Sequence, residues 1–121
     1  RPQPIRQIIM NLVTNARDAL NERYPGFDER KRIVIAAESF ADATWLRLSV
    51  RDQAGGIPEQ LRTRIFDPFF TTKGRDKGTG LGLSVSHGIA REHGGELRVE
   101  SEVGVGSRFV LELPLAGPGS P

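Results

Sequence analysis

Apolar side chains recur along the first part of the chain at the spacing of a helix. From Ile5 to about Asn21 they fall on one stripe at about 100° per residue. The run Tyr24-Pro25-Gly26 then breaks the pattern. The sequence therefore predicts one amphipathic helix whose buried face consists of Ile5, Ile8, Ile9, Leu12, Val13, Ala16, Ala19 and Leu20.

Apolar and polar residues alternate with a period of two in four later segments, and this predicts strands. The first pair covers residues 32–39 and 44–52 and is joined by the turn 40–43. The second pair covers residues 96–102 and 107–113. Its apolar positions alternate with charged ones, as expected of a sheet with one face in water.

A second helix is predicted over residues 82–93, where Gly94-Gly95 would end it. Residues 54–82 carry only a short helix near 58–64, and so long a loop is usually a functional lid or a disordered segment. These elements predict an α+β fold, a two-layer α/β sandwich with helices on one face of a mixed, mainly antiparallel sheet. We expect one domain over residues 1–115.

Composition narrows the functional classes. The chain of 121 residues fits one compact domain, and residues 116–121 are expected to be a flexible tail or linker stub. Lys and Arg total 17 against 15 acidic residues and are mostly scattered, which disfavours nucleic-acid binding. No cysteine is present, which rules out disulfides and thiolate metal sites. Without a long apolar run or signal peptide, we expect a cytoplasmic monomer that makes no membrane contact itself.

Polar residues form a second stripe on the first predicted helix. Asn11, Asn15 and Asp18 are spaced i, i+4, i+7 and so lie on one side of it. Asparagine is a mediocre helix former, and its amide oxygen is a hard donor suited to magnesium. The stripe indicates either a metal and phosphate site or a polar helix edge that caps a neighbouring loop.

An acidic residue continues the apolar face of the second predicted strand. Asp52 follows Leu48 and Val50 at alternate positions, and a buried carboxylate is unfavourable without a partner. The small residues 54–56 come directly after it and would let a ligand lie against the backbone. An exocyclic amine such as that of adenine would satisfy Asp52, although a strand-end Asp can also cap a turn.

Two further segments indicate a phosphate ligand. Residues 78–83 form a glycine-rich loop that enters the second helix, where free N–H groups and the helix dipole favour an anion. Residues 66–73 place three phenylalanines beside Thr71, Thr72 and Lys73.

The two histidines, His87 and His93, are about 240° apart on a helix and are expected to be surface or packing residues.

In this order the four segments resemble the ATP-binding catalytic domain of two-component sensor histidine kinases. That domain belongs to the GHKL superfamily, with gyrase B subunits, large heat-shock chaperones and mismatch-repair ATPases, and has the Bergerat ATP-binding fold. The resemblance covers about residues 5–113: NLVTNARDAL looks like the N box, RDQAGGIP the G1 box, FDPFFTTK the F box and GTGLGLS the G2 box. FDPFFTTK and GLSVSHGIAREHGGEL are particularly similar to the nitrogen-regulation branch.

The resemblance implies a role for each box. Asn15 would coordinate Mg2+, and Asp52 would accept from the adenine amine with a water shared by Ser107. Gly56 would let the adenine lie flat, and Lys73 would neutralise phosphates. The catalytic residues implied are Asn11, Asn15 and Lys73. The other positions expected around the nucleotide are Asp18, Ile57, Phe70, Thr71, Thr72, Gly78, Thr79, Gly80, Leu81, Gly82 and Leu83.

Within this resemblance Asn11 favours a kinase over an ATPase, and two other positions depart from the family pattern. Asn11 stands where hydrolysing relatives carry a Glu that activates water, and an amide cannot act as a general base. Ala54 replaces the first glycine of the G1 box. Asp18 stands where many sensor kinases carry a Lys.

The implied reaction is transfer of the γ-phosphoryl group of Mg-ATP to a histidine on a separate dimerisation domain, followed by signalling to a response regulator. The alternatives are a GHKL-type ATPase switch, an anti-sigma-factor type serine kinase and a non-enzymatic nucleotide-binding or nucleic-acid-binding module. No acceptor-histidine motif of the form H-E/D-x-x-x-P occurs in the chain. We therefore expect it to bind ATP and ADP without phosphorylating itself, and the parent protein to be either soluble or anchored in the inner membrane.

Overall fold

The computed structural model describes residues 2–68 and 82–115. Within these residues the chain forms three helices and four strands. In order they are α1 (Pro2–Arg23), β1 (Ile33–Phe40), β2 (Trp45–Asp52), α2 (Glu59–Arg62), α3 (Gly82–Glu92), β3 (Glu96–Glu102) and β4 (Gly106–Pro114). Each predicted element is present, and no bound differs from its predicted position by more than three residues.

Helix α1 is longer at both ends than its apolar stripe predicted. Its first turn accommodates Pro2 and Pro4, because the N–H groups of a first helical turn have no intrahelical partner. The helix ends at Arg23, directly before the predicted break. In the described part of the chain, no helix combines the length and apolar character needed to cross a membrane.

The four described strands form one sheet in the order β1-β2-β4-β3. All three pairings are antiparallel, so the predicted antiparallel character is confirmed and the described sheet contains no parallel pair. The β1–β2 turn places Ala41, Asp42 and Ala43 at φ of 55°, 55° and 64°. The β2–β4 pairing joins residues 45–52 to residues 107–114 and brings the two halves of the chain together.

The core lies between the sheet and the two long helices. Ile8 and Leu12 of α1 are completely buried and belong to one cluster with Val50 and Phe109 of the sheet and Ala90 of α3. Each buried residue of α1 falls on the predicted apolar stripe. This layer fixes the position of α1 and α3 over the inner face of the sheet.

The outer face of the sheet carries ion pairs instead of helices. Arg47 donates to Glu112 at 2.8 Å, and Arg108 of β4 donates to Glu100 of β3 at 2.9 Å. Arg47 and Arg98 hold the pKa of Glu112 below its ordinary value. The described residues therefore form the predicted two layers, but the outer face is only partly in water, because Ser49 and Val110 are buried between these charged side chains.

Two glycines end α3 as predicted. The N–H of Gly95 donates to the carbonyl of Ala90 at 2.9 Å, and the N–H of Gly94 donates to that of Arg91 at 3.0 Å. This is the Schellman pattern, in which the residue after the helix adopts a left-handed conformation. Gly94 has φ of +78°. The chain reverses here and leads directly into β3.

Candidate functional site

Asp52 lies at the inner-face end of β2, as the alternation predicted. The register places it opposite Ser107 of β4, two positions beyond the pair formed by Val50 and Phe109. Its exposed fraction is 3%. The carboxylate therefore continues the buried face of the sheet at the edge where β2 ends.

Backbone amides hold the Asp52 carboxylate. Oδ1 accepts the N–H of Ala54 at 3.0 Å, and the backbone of Ser107 provides a second hydrogen bond. Burial raises the pKa of Asp52 above its ordinary value, and the two hydrogen bonds only partly offset this. An ionised carboxylate has about four acceptor positions, so it can still accept hydrogen bonds from a ligand amine. The turn-capping interpretation and the ligand interpretation are thus compatible.

Gly56 and Gly106 allow two backbone segments to approach closely beside Asp52. Gly56 has φ of +80°, and a Cβ there would lie 2.3 Å from the carbonyl oxygen of Glu102. Gly106 has φ of +150°, and a Cβ there would lie 2.1 Å from the Asp52 carbonyl oxygen. Both positions require glycine, because real Cβ atoms do not come within 3.0 Å of such atoms.

The hydroxyl of Ser101 takes part in three hydrogen bonds of this site, and the sequence analysis missed this residue. Its hydroxyl donates to the Gly106 carbonyl at 3.0 Å, because that oxygen can only accept. The same oxygen accepts the N–H of Ile57 at 2.7 Å. It also lies 3.0 Å from the Ser107 hydroxyl, which must then be the donor. Ser101 ends an alternating apolar face of β3, just as Asp52 does in β2, and that signal could have found it.

Asn11 joins the two long helices. Its side-chain nitrogen donates to the carbonyl of Gly82 at 3.3 Å and to the hydroxyl of Ser86 at 3.0 Å. Because a carbonyl can only accept, the Gly82 contact fixes which end of the amide faces α3. The amide oxygen is therefore left for another partner. The predicted polar stripe does cap a neighbouring segment at this position.

The other members of the stripe lie further along α1. Asn15 is partly buried and Asp18 accepts from the guanidinium of Arg17 at 3.2 Å. The three polar positions thus share one side of α1, as predicted from their spacing, and Asn11 joins this side to α3.

The start of α3 retains the features that favour an anion. Gly82 is its first residue, and no acidic residue occurs in its first turn. Leu83 packs against the core and so anchors this end of the helix. The positive end of the helix dipole therefore lies next to Asn11, at the end of the glycine-rich loop.

Phe66 anchors the described start of the F box. Its ring meets Phe109 edge-on at 6.4 Å between centroids and stacks on His87 at 4.9 Å. Nδ1 of His93 lies 2.9 Å from the carbonyl of Ile89. Both histidines thus pack within the fold, as expected.

No group of three potential His, Cys, Asp or Glu ligands occurs in residues 2–68 or 82–115.

Eight of the predicted ligand-binding positions lie outside the described residues. They are Phe70, Thr71, Thr72, Lys73, Gly78, Thr79, Gly80 and Leu81. Of those that are described, Asp52, Gly56, Ile57 and Ser107 meet at one end of the sheet, whereas Asn15 and Asp18 lie on α1. Asn11 and Gly82 form a second contact between α1 and α3.

Residues 1–117 match the family model described as histidine kinase-, DNA gyrase B- and HSP90-like ATPase. The two-component sensor PprA of Pseudomonas aeruginosa is 48% identical over 114 residues, which are 94% of this chain and 12% of that protein. The sensor histidine kinase ZraS of Escherichia coli is 37% identical over 94% of this chain and 22% of its own length. The chain therefore spans less than a quarter of either relative.

A solved structure supports the same relationship. A nucleotide-free form of the catalytic domain of histidine kinase ThkA superposes with a TM-score of 0.74 at 38% identity, covering 94% of this chain and 69% of that one. The chain belongs to the histidine kinase-, DNA gyrase B- and HSP90-like ATPase family, and within it to the catalytic domains of histidine kinases.

Proposed function

We propose that this domain binds Mg-ATP and supplies its γ-phosphoryl group to a histidine on a separate dimerisation domain in two-component signalling. The observation that carries the proposal is the buried Asp52 carboxylate, held by backbone amides beside Gly56 and Ser107. Burial of a carboxylate at the end of a sheet is unfavourable in free energy unless its acceptor positions are filled. An amine donor is the ligand that best fills them. Adenine offers such an amine.

The adenine would lie against the backbone next to Asp52. The carboxylate would accept a hydrogen bond from the exocyclic amine. Gly56 has no side chain, so the face of the adenine ring could lie against the backbone. Ser107 directs its hydroxyl proton to Ser101, so its free lone pairs can accept from a water that bridges to the base. Ile57 closes the loop through its N–H bond to Ser101.

The magnesium ion would bind through the amide oxygen of Asn15. The donor set fits Mg2+, because the polar stripe of α1 offers hard oxygen ligands and no soft ones. The described residues contain no cluster of acids or histidines that could hold the ion alone. That fits an ion that keeps several waters and takes phosphate oxygens as its remaining ligands. The ion would supply charge neutralisation on the phosphates.

The phosphates would lie toward the start of α3. The dipole of this helix favours them at Gly82 and Leu83, and we propose that Gly78, Thr79, Gly80 and Leu81 continue the same cradle. Lys73, with Phe70, Thr71 and Thr72 beside it, would cover the site. Asp18 lies on the same side of α1 and would contact the phosphate region through water or metal.

Phosphoryl transfer fits the site better than hydrolysis does. Asn11 has no basic group, and its amide nitrogen is committed to Gly82 and Ser86. The contribution of the domain would therefore be positioning and charge neutralisation. The acceptor histidine would belong to the dimerisation domain, since His87 and His93 both pack within this fold. A response regulator would then receive the phosphoryl group from that histidine.

Calorimetric titration with ADP tests nucleotide binding. We expect binding to the wild-type chain and a loss of roughly tenfold to a hundredfold in Asp52→Asn, the range for a hydrogen bond to a charged group. Asp42→Asn, in the exposed β1–β2 turn, is the matched control and should bind as wild type does. Equal ADP affinity in all three proteins would refute the assignment of Asp52.

Radiolabelled ATP tests the reaction. The chain alone should release little phosphate and carry no phosphohistidine, whereas adding the dimerisation domain of its parent protein should label that domain. Asn11→Glu should raise phosphate release if the missing acid is what limits hydrolysis. Rapid hydrolysis by the unmodified chain would favour the ATPase alternative.

A further inference from the structure

Tyr24, the first residue after α1, contacts the peptide group that holds Asp52. Its hydroxyl donates to the carbonyl of Gln53 at 3.3 Å. The N–H of the same peptide group belongs to Ala54 and donates to Oδ1 of Asp52 at 3.0 Å. The C=O and N–H of a trans peptide point in opposite directions. Tyr24 thus holds the Gln53–Ala54 peptide group on the side opposite to Asp52, while the N–H of the same group donates to the Asp52 carboxylate.

Arg23 holds the next peptide group of the same loop. Its guanidinium donates to the carbonyl of Ala54 and, at 3.3 Å, to that of Gly104 in the β3–β4 turn. The N–H of Gly104 in turn donates to the carbonyl of Gly55 at 2.8 Å. The carbonyls of three consecutive residues after β2 are therefore each fixed by a donor from outside the loop.

The Tyr24 ring is itself held in place. It is 9% exposed and packs with Leu20 and Ala54 in a small cluster beside the main core. The guanidinium of Arg30 lies 4.2 Å from the ring centroid, and Asp28 binds that guanidinium at 2.7 Å. Ala54 is 2% exposed, so the methyl group that replaces the usual G1-box glycine is buried in this cluster.

We propose that Tyr24 and Arg23 are positioning residues for base recognition, an inference that rests on the proposed nucleotide function. They fix the orientation of the two peptides that follow Asp52 and thereby the direction of its free acceptor positions. Neither side chain needs to touch the nucleotide. The end of the N-box helix then contributes to the selection of adenine, in addition to the magnesium ligand that the middle of the helix would supply.

Comparison of ADP with inosine diphosphate tests this role. The inosine base carries a carbonyl in place of the amine, so wild type should prefer ADP. Tyr24→Phe removes only the hydroxyl, and we expect it to reduce this preference roughly fivefold, the factor for one ordinary hydrogen bond. Arg23→Ala should reduce the preference as well. Arg6→Ala, on an exposed position of the same helix, is the control and should leave it unchanged.

A role in general stability would lower the affinity for both nucleotides equally. An unchanged preference in Tyr24→Phe and Arg23→Ala would therefore overturn the proposal. The exchange rate of the Ala54 amide hydrogen provides a measurement without nucleotide. It should increase in Tyr24→Phe, and an unchanged rate would also count against the positioning role of Tyr24. Absence of ADP binding to wild type would instead refute the nucleotide function, which is a distinct outcome from failure of the positioning role.

Discussion

The side-chain nitrogen of Asn11 lies 3.0 Å from the hydroxyl oxygen of Ser86, so one hydrogen bond joins α1 to α3 close to the point where the glycine-rich loop ends. Ser86 is completely buried. The same nitrogen reaches the first carbonyl of α3 at Gly82. Asn11 therefore has a structural task in addition to any effect on hydrolysis, and the two can be separated by substitution.

Asn11→Asp keeps the shape of the side chain but removes the donor. The carboxylate would face the Gly82 carbonyl, and we expect the free energy of unfolding to fall by about 1–3 kcal/mol. Urea denaturation measures this change. Asn21→Asp is the control on the same helix: its Oδ1 accepts from Lys31 at 2.9 Å, and a carboxylate would keep that contact. Equal losses in the two variants would contradict the proposed importance of the donor.

Gly56→Ala should disrupt the site far more than Gly26→Ala. Both glycines are left-handed, with φ of +80° and +74°, so alanine costs roughly 1–2 kcal/mol at either position. Only at Gly56 would the new Cβ meet backbone, 2.3 Å from the Glu102 carbonyl oxygen. We expect a further loss of about 1–3 kcal/mol there, together with weakened ADP binding. Thermal melts and ADP titration of both variants measure the difference, and similar results would show that the close approach is not needed.

The raised pKa of Asp52 predicts a pH dependence of stability without nucleotide. Burial makes the folded-state pKa higher than the unfolded one, so the folded protein keeps this proton longer. The resulting stabilisation is complete below the unfolded pKa, near 3.8, and is lost as pH rises through the folded pKa. Urea denaturation across this pH range should show this loss of stability in wild type and in Asp42→Asn. The loss should be missing in Asp52→Asn. If the free energy of unfolding changed with pH in the same way in all three proteins, Asp52 would not be its source.

The helices, the strands and the position of Asp52 could be predicted from the sequence, because each depends on a local pattern of residues. Alternation placed Asp52 on the buried face of β2, and the glycine pair at 94–95 marked the end of α3. The strand order did not follow, because the pairing of β2 with β4 depends on contacts distant in sequence. Arg23 and Tyr24 were missed for the same reason. No sequence pattern at the end of a helix indicates which distant carbonyl groups a cation and a tyrosine hydroxyl will bind.

Gly88 offers a simple gain in stability. It lies within α3, is exposed, and a Cβ there would have no atom within 4 Å. Alanine is a better helix former, so Gly88→Ala should raise the free energy of unfolding by roughly 0.5–1 kcal/mol. Gly95→Ala should have the opposite effect, because its Cβ would lie 2.0 Å from the Glu112 carbonyl oxygen. Thermal melts compare them, and destabilisation by Gly88→Ala would indicate that α3 has a contact the fold does not reveal.

The pairing of Asp52 with Ser107 also has a consequence for biosynthesis. These partners are separated by more than fifty positions, and β4 is the last strand of the sheet to be made. During translation, Asp52 leaves the ribosome with its carboxylate still in water, and it becomes buried only when the final hairpin, β3–β4, docks on β2 through β4. Contacts of such long range form slowly, after local helices. A nascent or truncated chain that lacks β4 therefore lacks the buried Asp52 carboxylate, so the nucleotide site that we propose can form only in the completed sheet.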